Sequence, residues 1–303
     1  MDIDIANKDD FELLEEELLP PVNEVKRFIR VFFRRKIVVV GFILVIIFLF
    51  IAAFAGLISP YDPYEQDLYN VLSDPGGAHL LGTDALGRDL FSRLIYGTRT
   101  ALAVGASTAL VAAAIGTVIG LIAGFAEGPA QTIIMRLTDA MMAIPSLILQ
   151  IIIASILKAG VPGVVFAVAI SLVPGFIRLT NGQVLSLKQN DYVLAARSMG
   201  SSRIRIAIFH ILPNCLSPLI VQITMMMGIA ILAEASLSFL GMGILPPTAA
   251  WGSMAYDGYR YLTTQPLLSI APGLAIMFLV FSFSMIGDGL RDALDPKLRG
   301  TTS

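Results

Sequence analysis

The residues of this sequence that are suited to redox or metal chemistry are few and far apart. Cys215 is the single cysteine, and the two histidines, His79 and His210, stand in distant parts of the chain. Zinc sites need several Cys or His ligands at short, regular spacing. Neither an H-E-x-x-H nor a G-x-x-x-x-G-K-[ST] motif is present. We therefore expect no catalytic residue, no metal site and no nucleotide-binding loop in this chain.

The apolar segment 216–240 contains a single acidic residue. It is Glu234, in the string Leu-Ala-Glu-Ala-Ser. A carboxylate is costly to bury in hydrocarbon, so such a residue is a functional candidate by default. Two alternatives stay open: Glu234 lines a translocation path through the membrane, or it is a structural group bonded to a Ser, a Thr or the helix backbone.

The composition is that of a membrane protein. Hydrophobic residues make up 56% of the chain and charged residues 15%, whereas soluble domains average about 25% charged residues. A helix needs roughly 20 apolar residues to cross about 30 Å of hydrocarbon. Six segments qualify: 37–58, 100–126, 133–157, 161–179, 216–240 and 267–286. We expect an all-α membrane protein with six transmembrane helices.

The distribution of Lys and Arg predicts the orientation. Cations cluster before the first span, between spans four and five and after span six, whereas the segment 59–99 is mixed and 241–266 holds Arg260 alone. Cationic loops stay in the cytoplasm, so both termini are predicted to be cytoplasmic. We expect three divisions: an N-terminal cytoplasmic segment, acidic then basic (1–36), a membrane domain (37–290) and a cytoplasmic tail (291–303). Within the membrane domain we expect an outer segment over 59–99, a cytoplasmic loop over 187–212 and an outer loop over 241–266. The net charge of −2 disfavours nucleic acid as a partner.

Three glycines of the second span predict a closely packed helix pair. Gly116, Gly120 and Gly124 are spaced by four, which places them on one helix face and lets a neighbouring backbone approach.

Two ion pairs and an aromatic group are predicted on the outer side. Asp84 with Arg88, and Asp89 with Arg93, are four residues apart and can pair along a short surface helix. Such a helix either braces the outer segment or docks an external partner. Trp251 and the tyrosines that follow it are typical of an aromatic belt at the membrane surface.

The loop between spans four and five predicts a short amphipathic helix over 190–199. Its apolar, small residues recur at i, i+3, i+4 and i+7, and Gly200 is suited to end the helix. The members of this stripe are Tyr192, Ala195, Ala196 and Met199. The alternatives are a lever that seats in a partner's groove and an interfacial helix whose arginines face anionic lipid.

This loop resembles the EAA loop of ABC importer permeases. Ala195, Ala196, Gly200 and the later Leu-Pro at 212–213 match the pattern, while Leu194 stands where the family usually has glutamate. Docking on an ATPase is then expected to rest on shape at the two alanines. The polar contacts are expected from three arginines of the loop, namely Arg197, Arg203 and Arg205.

Strings throughout residues 30 to 300 resemble the oligopeptide, dipeptide and nickel permeases, C-type subunit. They include Gly-Thr-Asp at 82–84, Phe-Leu-Gly at 239–241 and Gly-Asp-Gly at 287–289. The resemblance implies a type I ABC importer permease fold, in the cytoplasmic membrane of a bacterium or archaeon, with peptides as the expected class of cargo.

The resemblance also implies a set of partners. These are a second permease, two ATPase subunits that bind ATP and Mg, an extracytoplasmic substrate-binding protein and membrane lipid. The chain itself would be non-enzymatic and free of cofactors. The alternative is a stand-alone, ion-coupled secondary carrier that uses Glu234.

Overall fold

The computed structural model describes residues 24–157 and 160–294, and the regular structure of these residues is helical. The acidic positions of the N-terminal segment and most of the predicted tail, from residue 295, lie outside the described residues. The helices are α1 Glu24–Phe32, α2 Lys36–Ala53, α3 Ala55–Ile58, α4 Leu90–Phe125, α5 Pro129–Ala143, α6 Ser146–Ile156, α7 Val161–Leu187, α8 Asp191–Ser198, α9 Arg203–Ile206, α10 Leu212–Phe239, α11 Trp251–Tyr259 and α12 Leu267–Leu294.

Five helices of the described chain are long and apolar enough to cross a membrane. They are α2, α4, α7, α12 and the continuous helix Arg203–Phe239, in which a π-helical turn, Ala207–Ile211, joins α9 to α10. Four of them extend beyond the predicted spans, because hydrophobicity marks only the part in hydrocarbon whereas a helix continues as long as its backbone bonds are satisfied. The first predicted span, 37–58, is interrupted at Phe54, and α3 continues to the predicted end at Ile58. Arg99 donates from Nε to the carbonyl of Ala52 at 2.5 Å and so caps α2.

The third predicted span is broken. Helices α5 and α6 meet at an angle of 95°. Pro145 sits at the break, and Ile144 before it is extended, with φ −84° and ψ 127°, because a residue that precedes proline is pushed out of the helical region. The predicted segment 133–157 therefore forms two helices joined at Pro145.

Helices α4 and α7 run parallel and in close contact. The glycines of α4 meet residues of α7 in the same order along both helices: Gly116 meets Phe176, Gly120 meets Thr180 and Gly124 meets Val184. The predicted close approach is confirmed. Because both helices run the same way, the chain between them must return across the bundle. The broken pair α5–α6 supplies this return, so the pair counts as the sixth crossing.

The start of α10 and the end of α12 lie at the same end of the bundle. Gly287 of α12 meets Met225, whereas Gly228 meets Val280 earlier in α12, so the two helices are antiparallel. Arg35, just before α2, pairs with Asp292 at 3.1 Å. The start of α2, the end of α12 and the loop that holds α8 therefore share one end, which we call the α8 side.

Candidate functional site: the α8 helix and its supports

Helix α8 ends at a glycine cap. Gly200 has φ +81°, a conformation that costs other residues free energy. The amide of Ser201 donates to the carbonyl of Ala196 at 3.1 Å, and the amide of Gly200 donates to that of Arg197 at 3.0 Å. These two bonds form a Schellman motif. The predicted end of the helix at Gly200 is confirmed.

Two residues attach α8 to the bundle. Val193 and Ala196 are buried in a cluster that includes Ile206, Ile211 and Cys215. The side chain of Ala196 is 2% exposed. The stripe that spacing predicted is therefore divided, because Ala196, one turn from Val193, packs against its own chain.

The other three members of the stripe face outward. Tyr192 is 43% exposed and Met199 is 80% exposed, and Ala195 lies between them and is exposed. Their spacing of three and four residues places them along one line on α8. We call these three residues the α8 strip. A small residue at its centre lets another protein's surface come close to the backbone.

A basic cleft of about 400 Å³ opens beside α8. Lys188, Arg197 and Arg203 contribute positive charge to its lining, and Glu127 contributes negative charge. Arg203 pairs with Glu127 at 3.0 Å, and both side chains are largely exposed to solvent. Leu194 also lines this cleft. Glu127, which the sequence did not single out, thus lies in the same cleft as Leu194, the residue that stands where the EAA loop usually has glutamate.

The structure brings two of the three predicted arginines into one site. Arg197 and Arg203 line the basic cleft, whereas Arg205 is not among the residues that line it. Arg205 is exposed on α9, where its amide donates to the Ser202 hydroxyl at 3.3 Å.

The helix that follows the site passes through a proline without ending. Pro213 lacks the amide that would bond the carbonyl four residues earlier, and its ring crowds that carbonyl. The π-helical turn Ala207–Ile211 precedes it, and a wider turn gives the displaced backbone room. Arg203–Phe239 is therefore a single connection from α9 to the opposite end of the bundle.

Glu234 lies near the far end of this helix and is 2% exposed. The Ser238 hydroxyl donates to Glu234 Oε1 at 2.7 Å and accepts from the Ile244 amide at 3.0 Å. This arrangement favours the structural alternative, since the carboxylate helps to fix the turn after α10. A place for Glu234 on a path between two permease chains stays a prediction.

The far end holds a buried charged group, which we call the Asp84 cluster: Asp84, Arg88 and Arg93. Asp84 pairs with Arg88 Nε at 2.6 Å, as predicted. The predicted pair of Asp89 with Arg93 is wrong, because residues 84–89 form a turn rather than a helix. Asp89 instead accepts from the Ser92 amide at 2.7 Å and caps α4.

Arg93 connects the two outer segments. It donates to the carbonyl of Pro63 at 2.9 Å and to that of Pro247 at 3.5 Å. Asp257 of α11 lines a small cavity beside this cluster. Burial raises the pKa of Asp257, and the charge of Arg88 opposes that shift.

Trp251 locks α11 against α4. The indole is 2% exposed, and its Nε1 donates to the carbonyl of Leu94 at 3.0 Å. It lies so close to Gly97 that a Cβ there would stand 2.5 Å from the ring. The prediction of a belt position is wrong for Trp251, because a glycine one helix away opens a slot for the ring.

Two family models match the sequence. One is described as the binding-protein-dependent transport system inner membrane component and matches residues 116–300. The other is described as the N-terminal TM domain of oligopeptide transport permease C and matches residues 25–75.

Curated relatives match almost the whole chain. The glutathione transport system permease protein GsiD of Pectobacterium atrosepticum is 44% identical over 275 residues, which cover 90% of this chain and 91% of the relative. The dipeptide transport system permease protein DppC of Haemophilus influenzae is 42% identical over 285 residues, 92% of this chain and 97% of the relative.

A solved structure shares the fold. It is an inward-facing form of the MetNI methionine ABC transporter, of which one chain is matched over 96% of its length and 67% of this chain. The TM-score is 0.57 at 17% sequence identity. Together with the family models and the relatives, the helical bundle identifies this chain as a member of the binding-protein-dependent inner membrane transport components, in the oligopeptide and dipeptide permease family of C type.

Proposed function

We propose that this chain is one of two homologous permease subunits of an ATP-driven importer of peptides. The names of its relatives, permeases for glutathione and dipeptides, support this cargo class. Two ATPase subunits bind ATP and Mg, and a substrate-binding protein delivers cargo to the end of the bundle that holds the Asp84 cluster. The α8 side then faces the cytoplasm of the cell, consistent with its many Lys and Arg residues.

The observation that carries this proposal is the divided surface of α8. Val193 and Ala196 fix the helix to the bundle, while the α8 strip stands open around Ala195. A partner that seats on the strip therefore pushes on packed side chains rather than on a loose loop. The push passes to Ile206 and Ile211 in the same cluster, and so into the helix Arg203–Phe239. Rocking of the two permeases between inward and outward states follows from such a push.

The polar part of the contact comes from Arg197, Arg203 and Arg205. Leu194 offers no carboxylate to the ATPase, so acidic groups on the ATPase are the complementary partners of these cations. The bridge of Arg203 to Glu127 does not prevent this exchange, because an exposed ion pair contributes only about 0–1 kcal/mol.

The test is uptake by the reconstituted importer with Ala195→Glu. A charged, larger side chain at the centre of the α8 strip should abolish uptake and the stimulation of ATP hydrolysis, while the chain still inserts and folds. Ser186→Glu is the matched control. It adds the same charge to an exposed position at the end of α7, outside both the strip and the basic cleft, and should transport normally.

Two results would overturn the proposal. One is normal, ATP-coupled uptake by Ala195→Glu. The other is uptake by this chain alone, driven by an ion gradient without ATPase subunits, which would instead support the ion-coupled carrier with Glu234.

A further inference from the structure

Helix α1 is held against the bundle by one part of its apolar surface. Phe28, Val31 and Phe32 pack in a cluster with Val38 of α2 and with Leu290 and Ala293 of α12. Phe32 and Phe28 also stack, with ring centroids 5.8 Å apart. The helix therefore has a fixed position at the end of α12.

A second part of its apolar surface is open. Ile29 is 49% exposed and Phe33 is 39% exposed. Phe33 directly follows α1, and its amide donates to the carbonyl of Ile29 at 3.0 Å, so the two side chains lie one helical turn apart on the same side. Arg30 is exposed and Arg27 is partly exposed. Helical spacing places Arg30 about 100° and Arg27 about 160° around the helix from Ile29, so both lie on its polar side. We call Ile29 and Phe33 with these two arginines the α1 surface.

The position of α1 along the bundle decides what covers the α1 surface. Helix α2 crosses the membrane and begins at Lys36, only a few residues after α1 ends at Phe32. Helix α1 therefore lies at the boundary between hydrocarbon and water. Residues 25–36 include six Lys or Arg and no acidic residue. Arg35 is engaged with Asp292, but Arg27 and Arg30 lie on α1 itself.

We propose that α1 lies in the head-group region of the bilayer and binds anionic phospholipid. Ile29 and Phe33 enter the acyl boundary, while the long side chains of Arg27 and Arg30 bond the phosphates from the polar side of the helix, which is the geometry of an interfacial amphipathic helix. Each arginine near an anionic surface contributes about fivefold in affinity. A protein partner would have to supply acidic groups along an apolar strip to match this surface. An anionic leaflet offers negatively charged phosphates and apolar acyl chains together at this depth. This inference does not depend on the cargo or on the ATPase contact.

The test places a fluorescent reporter on the α1 surface of the full-length chain, purified with the subunits that accompany it. Ile29→Trp is introduced, and emission is compared with that of the parent chain in the same nanodiscs. The nanodiscs contain brominated phosphatidylglycerol or brominated phosphatidylcholine at equal mole fraction. We expect the brominated anionic lipid to quench the added indole several-fold more strongly, and the difference to shrink in high salt.

Charge variants separate anionic selectivity from simple insertion. Adding Arg27→Gln and Arg30→Gln to Ile29→Trp should make the two brominated lipids equal as quenchers. Arg27→Lys with Arg30→Lys should keep the preference, which excludes loss of folding as the cause. Removing two positive charges elsewhere, with Arg136→Gln and Arg260→Gln, should also keep the preference for the anionic lipid.

The proposal is overturned if neither lipid quenches the indole, since α1 then faces water or protein. It is equally overturned if both lipids quench alike in the chain with both arginines.

Discussion

Arg93 Nε lies 3.6 Å from the carboxylate of Asp84 across a reversal of the chain. The guanidinium is 2% exposed and the carboxylate 13% exposed. The same carboxylate holds Arg88, so Asp84 is the acid that pairs directly with two buried cations, while Asp257 adds negative charge beside them. Because Arg93 also bonds the carbonyls of Pro63 and Pro247, this pair fixes the two outer segments to each other.

Asp84→Asn should therefore destabilise the chain strongly. Removing one partner of a buried ion pair costs about 3–5 kcal/mol, because the remaining charge stays buried without compensation. Asp139→Asn is the control. It breaks the exposed pair with Arg178 and should cost less than about 1 kcal/mol. Thermal unfolding in detergent measures both, and equal melting temperatures would contradict the role assigned to Asp84.

Gly120→Ala should loosen the contact of α4 with α7. The new Cβ would lie 2.6 Å from Cβ of Thr180 and 2.8 Å from the carbonyl oxygen of Ile177, so the helices must separate, at about 1–3 kcal/mol. The same substitution at Gly182 meets nothing within 4 Å and should stabilise α7 by about 0.5–1 kcal/mol. Opposite shifts of the two melting temperatures are expected. Shifts in the same direction would contradict the packing argument.

Gly200→Ala should weaken the end of α8 without any clash. Nothing lies within 4 Å of the added Cβ, but the left-handed conformation costs a residue with a side chain about 1–2 kcal/mol. We expect fewer peptides imported per ATP hydrolysed, because the α8 strip loses its fixed orientation. Gly200→Asn should retain more coupling, since asparagine tolerates this conformation. Unchanged coupling in both variants would show that the cap is not needed.

Glu234→Gln should fold and transport, whereas Ser238→Ala should be less stable. The amide oxygen of glutamine still accepts from the Ser238 hydroxyl, but alanine at 238 removes both that donor and the acceptor for the Ile244 amide. A buried group left unpaired costs about 1–3 kcal/mol. Uptake kinetics are measured with peptides that have free or blocked amino termini. A KM that changes only for free amino termini in Glu234→Gln would instead place the carboxylate on the path.

Features set by adjacent residues were predictable from the sequence. The cap at Gly200 depends on a few consecutive residues, and the small face of Gly116, Gly120 and Gly124 depends only on helical spacing. The identity of the helix that meets those glycines, α7, was not predictable, because spacing within one helix says nothing about its neighbour.

Features set by distant contacts were missed. Arg93 sits at the spacing that pairs with Asp89 in a helix, but the chain turns before α4 and brings Asp84 closer. Ala196 belongs to the stripe by periodicity, yet Ile206 and Ile211 cover it. The break at Pro145 was marked in the sequence by the proline, but its angle of 95° was not predictable from it.

The helix Arg203–Phe239 has 37 residues, which corresponds to about 55 Å at 1.5 Å per residue. A bilayer's hydrocarbon is only about 30 Å thick. A tilt or a thicker membrane therefore changes how far the α8 end of this helix projects into water. Bilayer thickness is therefore expected to affect coupling, because it sets the distance from the membrane surface at which the α8 strip meets its partner.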